Sequence, residues 1–292
     1  MTQTPERFRA IMQALFVTLL WSTSWVFIKI TLQDVPPLIF AGLRYTLATL
    51  VLLPGLYKVR DQVRDLTKRD WIQLSVLGLV FYTLTQGGQF LTLNHLEAVT
   101  FSLLLNFSSV LVAIMGIIGL GEAPTRRQWV GIAIFIIGVV VYFYPSISLT
   151  GRALGFVFAG LTIGANAIAS LLGRSINEQK RIPPTVVTVI SMGIGALVLL
   201  GSGLIVEDFP QLTLRNMMVI VLLGVVNSAL AFTLWNKSLQ VLSAVESSVI
   251  NNTMLIQIAF LAWVFLGERP SILDSVGLII AGVGILLVNL KK

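Results

Sequence analysis

Cysteine is absent from the chain, which removes disulfides, thiol catalysis and thiolate metal sites. Histidine occurs once, at His95, so no His-Glu-x-x-His metal motif can be formed. Gly-x-Ser-x-Gly, an intramembrane Asp pair and a Walker-type Gly-x-x-x-x-Gly-Lys-Ser/Thr loop are missing too. Intramembrane hydrolysis and ATP-driven pumping therefore lose their usual machinery, and neither an enzyme nor a bound cofactor or metal is expected. Charge is also scarce. Only 11% of residues are charged, where a soluble domain carries about a quarter. What fills the chain instead is apolar: 56% of residues are hydrophobic and the mean hydropathy is +0.90. This is the composition of a membrane protein.

Ten apolar stretches are long enough for helical membrane spans: about 11–32, 36–57, 71–93, 97–120, 127–144, 153–172, 184–206, 216–237, 244–266 and 273–290. Solid apolar runs favour helices over a barrel, whose strands would alternate. The expected class is an all-α integral membrane protein of ten transmembrane helices. The first stretch, behind Arg7 and Arg9, runs past the length of a secretory signal without a cleavage site and reads as span 1.

The chain repeats itself. Leu96–Pro124 laid over Leu242–Pro270 without a gap gives ten identities in 29 positions, among them Ser102, Asn106 and Gly121-Glu122-x-Pro124. The offset is 146, half of 292, and it also superposes Gly131 on Gly277 and Gly138 on Gly284. This predicts two five-helix repeats, 1–146 and 147–292. An odd number of spans inverts the second copy. Charge agrees with that arrangement. With the N-terminus inside, 15 of the 20 Lys and Arg fall in inner segments and three in outer loops, Arg152, Arg215 and Arg269. Both termini are then cytoplasmic. The net charge of +7 is explained by this placement, with no nucleic-acid partner required.

The doubled Gly-Glu-x-Pro has a local explanation except at the glutamate. Gly ends a helix, Pro and a hydroxyl residue start the next, and Thr125…Gln128 and Ser271…Asp274 have the spacing of capping boxes. Glu122 and Glu268 are either interfacial charges or gating and proton-coupling groups. His95, beside Glu97 in a short loop, is the other proton-coupling candidate.

Polar side chains recur on one face of several spans: Thr18, Ser22, Trp25 and Lys29, with Trp21 beside them, in span 1; Tyr82, Gln86 and Gln89 in span 3; Ser102, Asn106 and Ser109 in span 4. Spans 6, 8 and 9 carry Thr162, Asn166 and Ser170; Asn227, Trp235 and Asn236; and Ser248, Asn251, Asn252 and Gln257. Single residues of this kind bond helix to helix. The full set, with aromatic rings among the amides, points to a substrate cavity. Trp21, Tyr82, Gln86, Asn106, Asn166, Asn227 and Asn252 are its expected lining. Arg44 lies seven residues into span 2, where it either pairs within the protein or meets an anion. Spans 5 and 10 lack polar stripes and carry spaced glycines, the mark of close-packed scaffold helices or a dimer surface, so monomer and homodimer are both compatible.

Two repeats of five spans, "WSTSWVFIK" in span 1, the arginine of "FAGLRYTLATLVLLP" in span 2 and Gly-Glu-x-Pro after spans 4 and 9 resemble the drug/metabolite transporter superfamily, in its EamA-like branch of amino-acid and metabolite exporters. The resemblance implies an inner-membrane exporter with a central cavity between the halves and spans 5 and 10 off the pathway. It departs from the pattern at span 6, where Asn166 stands near the equivalent of Trp21. The expected function is secondary export of a small amphipathic metabolite, with amino acids the leading class and a proton gradient a candidate driving force. A lipid or lipid-carrier flippase and a non-transporting structural or receptor protein are the alternatives. The expected partners are a small-molecule substrate and membrane lipid.

Overall fold

The structure, a computed structural model, describes residues 5–120, 125–144, 152–178, 181–239, 241–242 and 244–289. Its helices in chain order are α1 Pro5–Thr31, α2 Pro37–Leu52, α3 Pro54–Tyr57, α4 Arg60–Arg64, α5 Lys68–Gly78, α6 Gly87–His95, α7 Ala98–Leu105, α8 Phe107–Leu120, α9 Arg126–Phe143, α10 Ala153–Glu178, α11 Pro184–Val206, α12 Leu214–Val221, α13 Ala231–Leu239, α14 Ala244–Leu266 and α15 Ile272–Asn289. Two π-helical segments, Leu79–Gln86 and Leu222–Leu230, join α5 to α6 and α12 to α13. Among the described residues all regular structure is helical. Backbone groups buried in hydrocarbon have no water to bond, so apolar runs bond within themselves. Among the described residues seven helices are long and apolar enough to cross a membrane, and 98–112 and 272–288 form shorter apolar helices.

Helix ends follow the local chemistry expected of them. Thr125 N–H donates to Gln128 Oε1 at 2.8 Å and Gln128 N–H returns to Thr125 Oγ1 at 3.3 Å, starting α9. Ser271 and Asp274 make the same reciprocal pair at 2.7 and 3.1 Å before α15. Gly267 takes φ 70°, the left-handed turn that ends α14 and that a side chain would resist. Span 4 departs from a continuous helix. It breaks at Asn106 into α7 and α8, and Asn106 Nδ2 donates to Ser102 O at 2.7 Å, within its own helix.

The chain forms two compact units, each assembled from both halves of the sequence. Unit I comprises Met1–Ile30, Leu96–Leu154 and Leu230–Lys292. Its closest helix pair is α9 with α15, antiparallel and glycine-lined. A Cβ on Gly138 would stand 2.7 Å from Ala281 Cα and 2.8 Å from Gly277 O; one on Gly284 would stand 2.6 Å from Phe135 Cα and 2.8 Å from Gly131 O. Shifting each residue by 146 turns the first contact set into the second. The helix pair thus has a local two-fold axis across it. Elsewhere in unit I, Gln257 on α14 donates to Thr18 Oγ1 (3.2 Å) and Thr253 Oγ1 (3.0 Å) and accepts from Ser22 Oγ (2.9 Å). Gln13 of α1 donates to Leu234 O and Ser238 Oγ of α13 at 2.7 and 3.2 Å.

Unit II comprises Thr31–His95 and Gly155–Ala229. Here α2 crosses α11 at Gly42, where a Cβ would stand 2.6 Å from Leu200 Cα. One end is closed by Glu207, just past α11. Its two carboxylate oxygens accept from Leu38 N–H and Ile39 N–H, at 3.0 and 2.9 Å, in the first turn of α2. An anion is well placed there, because the first N–H groups of a helix are unpaired and carry its positive dipole end. At the other end buried Asp70, which also caps α5 through Thr67, pairs with Arg181, and a cluster of Leu74, Leu77, Ile176, Ile182 and Val186 packs beside them.

Candidate functional site

In unit II four of the residues singled out from the sequence meet around the middle of α2 and the two π-helical segments. Arg44 projects from α2 and is 4% exposed. Its Nε donates to Ser228 Oγ at 3.1 Å, and its guanidinium carbon lies 5.1 Å from the Tyr45 ring centre and 6.0 Å from that of Phe90. The Tyr45 hydroxyl donates to Gln86 Oε1 at 2.7 Å, and its ring packs edge-on to Tyr82 at 5.5 Å. Asn227, beside Ser228, is 2% exposed. Tyr82 and Gln86 sit on the first π-helical segment, Asn227 and Ser228 on the second. A π turn widens the helix by one residue and rotates the side chains past it, and such turns gather at functional sites. Shifting 79–86 by 146 gives 225–232, which overlaps 222–230.

The electrostatics of Arg44 are incomplete. Removing a guanidinium from water costs several kcal/mol even after relaxation. The two ring faces return about 0.5–2 kcal/mol each, the more distant one least. Nε uses one of the five N–H donors, and the terminal nitrogens meet no acceptor among the described residues. The carboxylates of unit II whose side chains are described are engaged elsewhere or solvated: Asp70 holds Arg181, Glu207 holds α2, and Asp34, Asp61, Asp65 and Asp208 are exposed. Arg44 does not snorkel or pair with an acid among the described residues.

Asn166, on α10, accepts at its backbone carbonyl from Ser170 Oγ (2.8 Å). In unit I, Trp21 packs on Phe232 and Trp235, with ring centres at 5.3 and 5.2 Å. Asn106 is engaged at the break in span 4. Asn252 has its Nδ2 buried without a hydrogen-bond partner, and the residue lines an apolar groove of about 680 Å³ between α14 and α15, with Ile256, Phe260, Trp263 and Ile279 on its walls. His95, in unit II, stacks on Phe158 at 5.7 Å and 23°.

Glu268 answers part of the question raised by the repeated motif. Its Oε1 and Oε2 accept from Ala98 N–H and Val99 N–H, at 2.8 and 3.0 Å, in the first turn of α7. This is the same bidentate staple that Glu207 makes on α2. Burial pushes the Glu268 carboxyl above its ordinary value, opposed by the two N–H bonds and nearby Lys29. Lys29 Nζ donates to Leu96 O at 2.6 Å beside it. Glu122 lies outside the described residues. Sequence reasoning missed Tyr45 and Ser228, the direct neighbours of Arg44, and the Glu207 staple.

The profile of the EamA-like transporter family matches residues 8–144 and again 152–290. The chain belongs to the EamA-like transporter family. It is similar to an uncharacterized transporter of Archaeoglobus fulgidus, 26% identical over 94% of this chain and 95% of the relative. It is also similar to a Chlamydia muridarum S-adenosylmethionine/S-adenosylhomocysteine transporter, 24% identical over 90% of this chain and 86% of that protein. A probable amino-acid metabolite efflux pump of Escherichia coli is 24% identical over 76% of this chain and 75% of its own length. A solved crystal structure shares the fold at TM-score 0.68, covering 96% of this chain and 97% of the other at 17% identity. The protein is thus a multi-pass membrane transporter of small molecules and not an enzyme.

Proposed function

We propose that the chain is a secondary exporter of small amphipathic metabolites, amino acids first among them, working by alternating access across the inner membrane with both termini in the cytoplasm. The observation that carries this reading is the cluster in unit II. Arg44, Tyr45, Tyr82, Gln86 and Ser228 combine a cation, aromatic faces and neutral hydrogen-bonding groups on α2 and two π-helical segments. That set suits a solute with an apolar body and a polar, anionic end. The efflux-pump relative lends support from its name. Ten spans in two inverted repeats are supported by the double family match and by the two-fold relation of Gly131 and Gly138 to Gly277 and Gly284. Inverted repeats let one midplane site open to either side.

The test is efflux from proteoliposomes loaded with labelled amino acids, with and without a proton gradient. Wild type empties them faster than protein-free vesicles, and Tyr82→Ala with Gln86→Leu slows the loss at least about tenfold, the size of one or two lost hydrogen bonds in a dry site. Wild-type vesicles that retain every amino acid of the panel would refute the reading. The groove between α14 and α15 favours a second reading, lipid translocation, because its walls are apolar and Ile256 is 73% exposed. Movement of fluorescent phospholipid between leaflets, without solute efflux, would decide for it.

A further inference from the structure

We infer that Arg44 is the carboxylate-recognition point of the transporter, so that its solutes are monoanionic at one end and lose recognition when that carboxylate is masked. This deepens the export reading and rests on it. Arg44 is 4% exposed, spends Nε on Ser228, and lies over the Tyr45 ring. Its terminal nitrogens present a fork with no acceptor among the described residues. A planar guanidinium presents paired N–H groups that match the two oxygens of a carboxylate. The remaining charge balance sets the class. One carboxylate offsets the cation locally at the guanidinium, whereas a phosphate dianion would bring a second negative charge with no further cation there to meet it. The Tyr45–Gln86 pair fixes the ring under the guanidinium, at 2.7 Å between hydroxyl and amide oxygen, and Ser228 fixes the fork's rotation. The site is therefore preorganised before any solute arrives, the condition under which a charged contact discriminates strongly.

The experiment uses the full-length protein in proteoliposomes, with labelled L-leucine, L-phenylalanine and L-threonine as probes and their amides as competitors and as separate labelled substrates. The amides keep the side chain and the amine and lack only the carboxylate. In wild type the amides compete at least about tenfold more weakly than the acids, as the loss of a charge-assisted bidentate contact requires. Arg44→Gln lowers acid flux about tenfold to a hundredfold and leaves amide flux within about twofold, and Arg44→Lys falls between them, because an ammonium keeps the charge and loses the fork. Equal competition by acids and amides in wild type overturns the inference without a variant, so a misfolded Arg44→Gln protein leaves the result decisive. Unchanged acid preference in folded Arg44→Gln overturns it as well. If no amino acid moves in wild type, the amino-acid export reading has failed instead. Thermal stabilisation of detergent-solubilised wild type by short monocarboxylates over their amides then decides for or against Arg44 on its own.

Discussion

Gly138→Ala and Gly160→Ala make the same chemical change in two helices and should have opposite consequences. At Gly138 the new Cβ would meet backbone, 2.7 Å from Ala281 Cα and 2.8 Å from Gly277 O, while at Gly160 nothing lies within 4 Å. Ordinary Cβ contacts begin at 3.4 Å, so α9 and α15 must separate by several tenths of an ångström or more. Backbone on both sides has no rotamer with which to yield. Overpacking of this kind costs about 1–3 kcal/mol, and the widened gap weakens dispersion along the rest of the seam. Both substitutions gain up to about 1 kcal/mol of helix propensity. That gain cancels in the comparison, so the gap between the two variants is the steric cost alone. Gly284→Ala should fall with Gly138→Ala, since its Cβ would meet Phe135 Cα at 2.6 Å and Gly131 O at 2.8 Å. Unfolding in mixed micelles of rising SDS content, followed by tryptophan fluorescence, reads all three. The expected order of midpoints is Gly160→Ala at or above wild type, then Gly138→Ala and Gly284→Ala together below it. Coincident midpoints for Gly138→Ala and Gly160→Ala would refute the close pairing of α9 and α15, and a wide split between Gly138→Ala and Gly284→Ala would refute its two-fold character.

Glu207→Ala strands the N–H groups of Leu38 and Ile39, of which Ile39 is fully buried; it should cost about 1–3 kcal/mol per buried donor, seen as a lowered unfolding midpoint that Glu207→Gln restores in part. Glu268, whose carboxyl is held above its ordinary value by burial, makes a pH-dependent contribution. With the folded value raised, its contribution is full below the ordinary carboxylate range and is lost as pH rises through the raised value. Wild type should therefore lose thermal stability relative to Glu268→Gln over that window, and parallel pH profiles would count against it. Gln257→Leu should cost less than about 1 kcal/mol, because Ser22 and Thr253 keep bonds to their own helices, to Thr18 O at 2.8 Å and Ile250 O at 2.6 Å; a loss above about twice that would mean the amide organises more of unit I than its bonds account for.

Features set by neighbours in sequence were legible before the fold was known. Capping boxes at Thr125 and Ser271, the stop at Gly267 and the scaffold glycines of spans 5 and 10 depend on local chemistry and on spacing, and each stands where the pattern placed it. The division into units was not legible, because the apolar faces of membrane helices look alike and the pairing depends on which small residues meet across them. The π-helical segments leave no mark either: Leu79–Gln86 contains neither proline nor glycine. Tyr45 was passed over because its neighbours in "FAGLRYTLATL" read as a plain apolar face; its role depends on Gln86, 41 positions away. Glu207 was not singled out, since nothing local marks a carboxylate as bound to the N–H of Leu38, 169 positions earlier. Asn106 kept its place in the polar stripe but uses its amide at a helix break.

The acids and the buried cation of this fold are used differently. Glu207, Glu268 and Asp70 are each consumed by a contact inside one unit, two on helix starts and one on Arg181. Arg44 receives no such partner among the described residues, although its own helix could supply one. The positions one turn away, where a carboxylate would face the guanidinium, hold Phe40 and Ala48, both fully buried. A glutamate at either would neutralise the charge at close range, and a fold that needed Arg44 for stability alone would gain from it. Instead the surrounding groups orient the cation without neutralising it: Ser228 at Nε, Tyr45 beneath, and Gln86 holding Tyr45. In the carboxylate-recognition role proposed for Arg44, orientation without neutralisation leaves the site favourable to an incoming anion and unfavourable when empty. A transporter needs that property, because a site satisfied from within would have no differential affinity with which to select a solute.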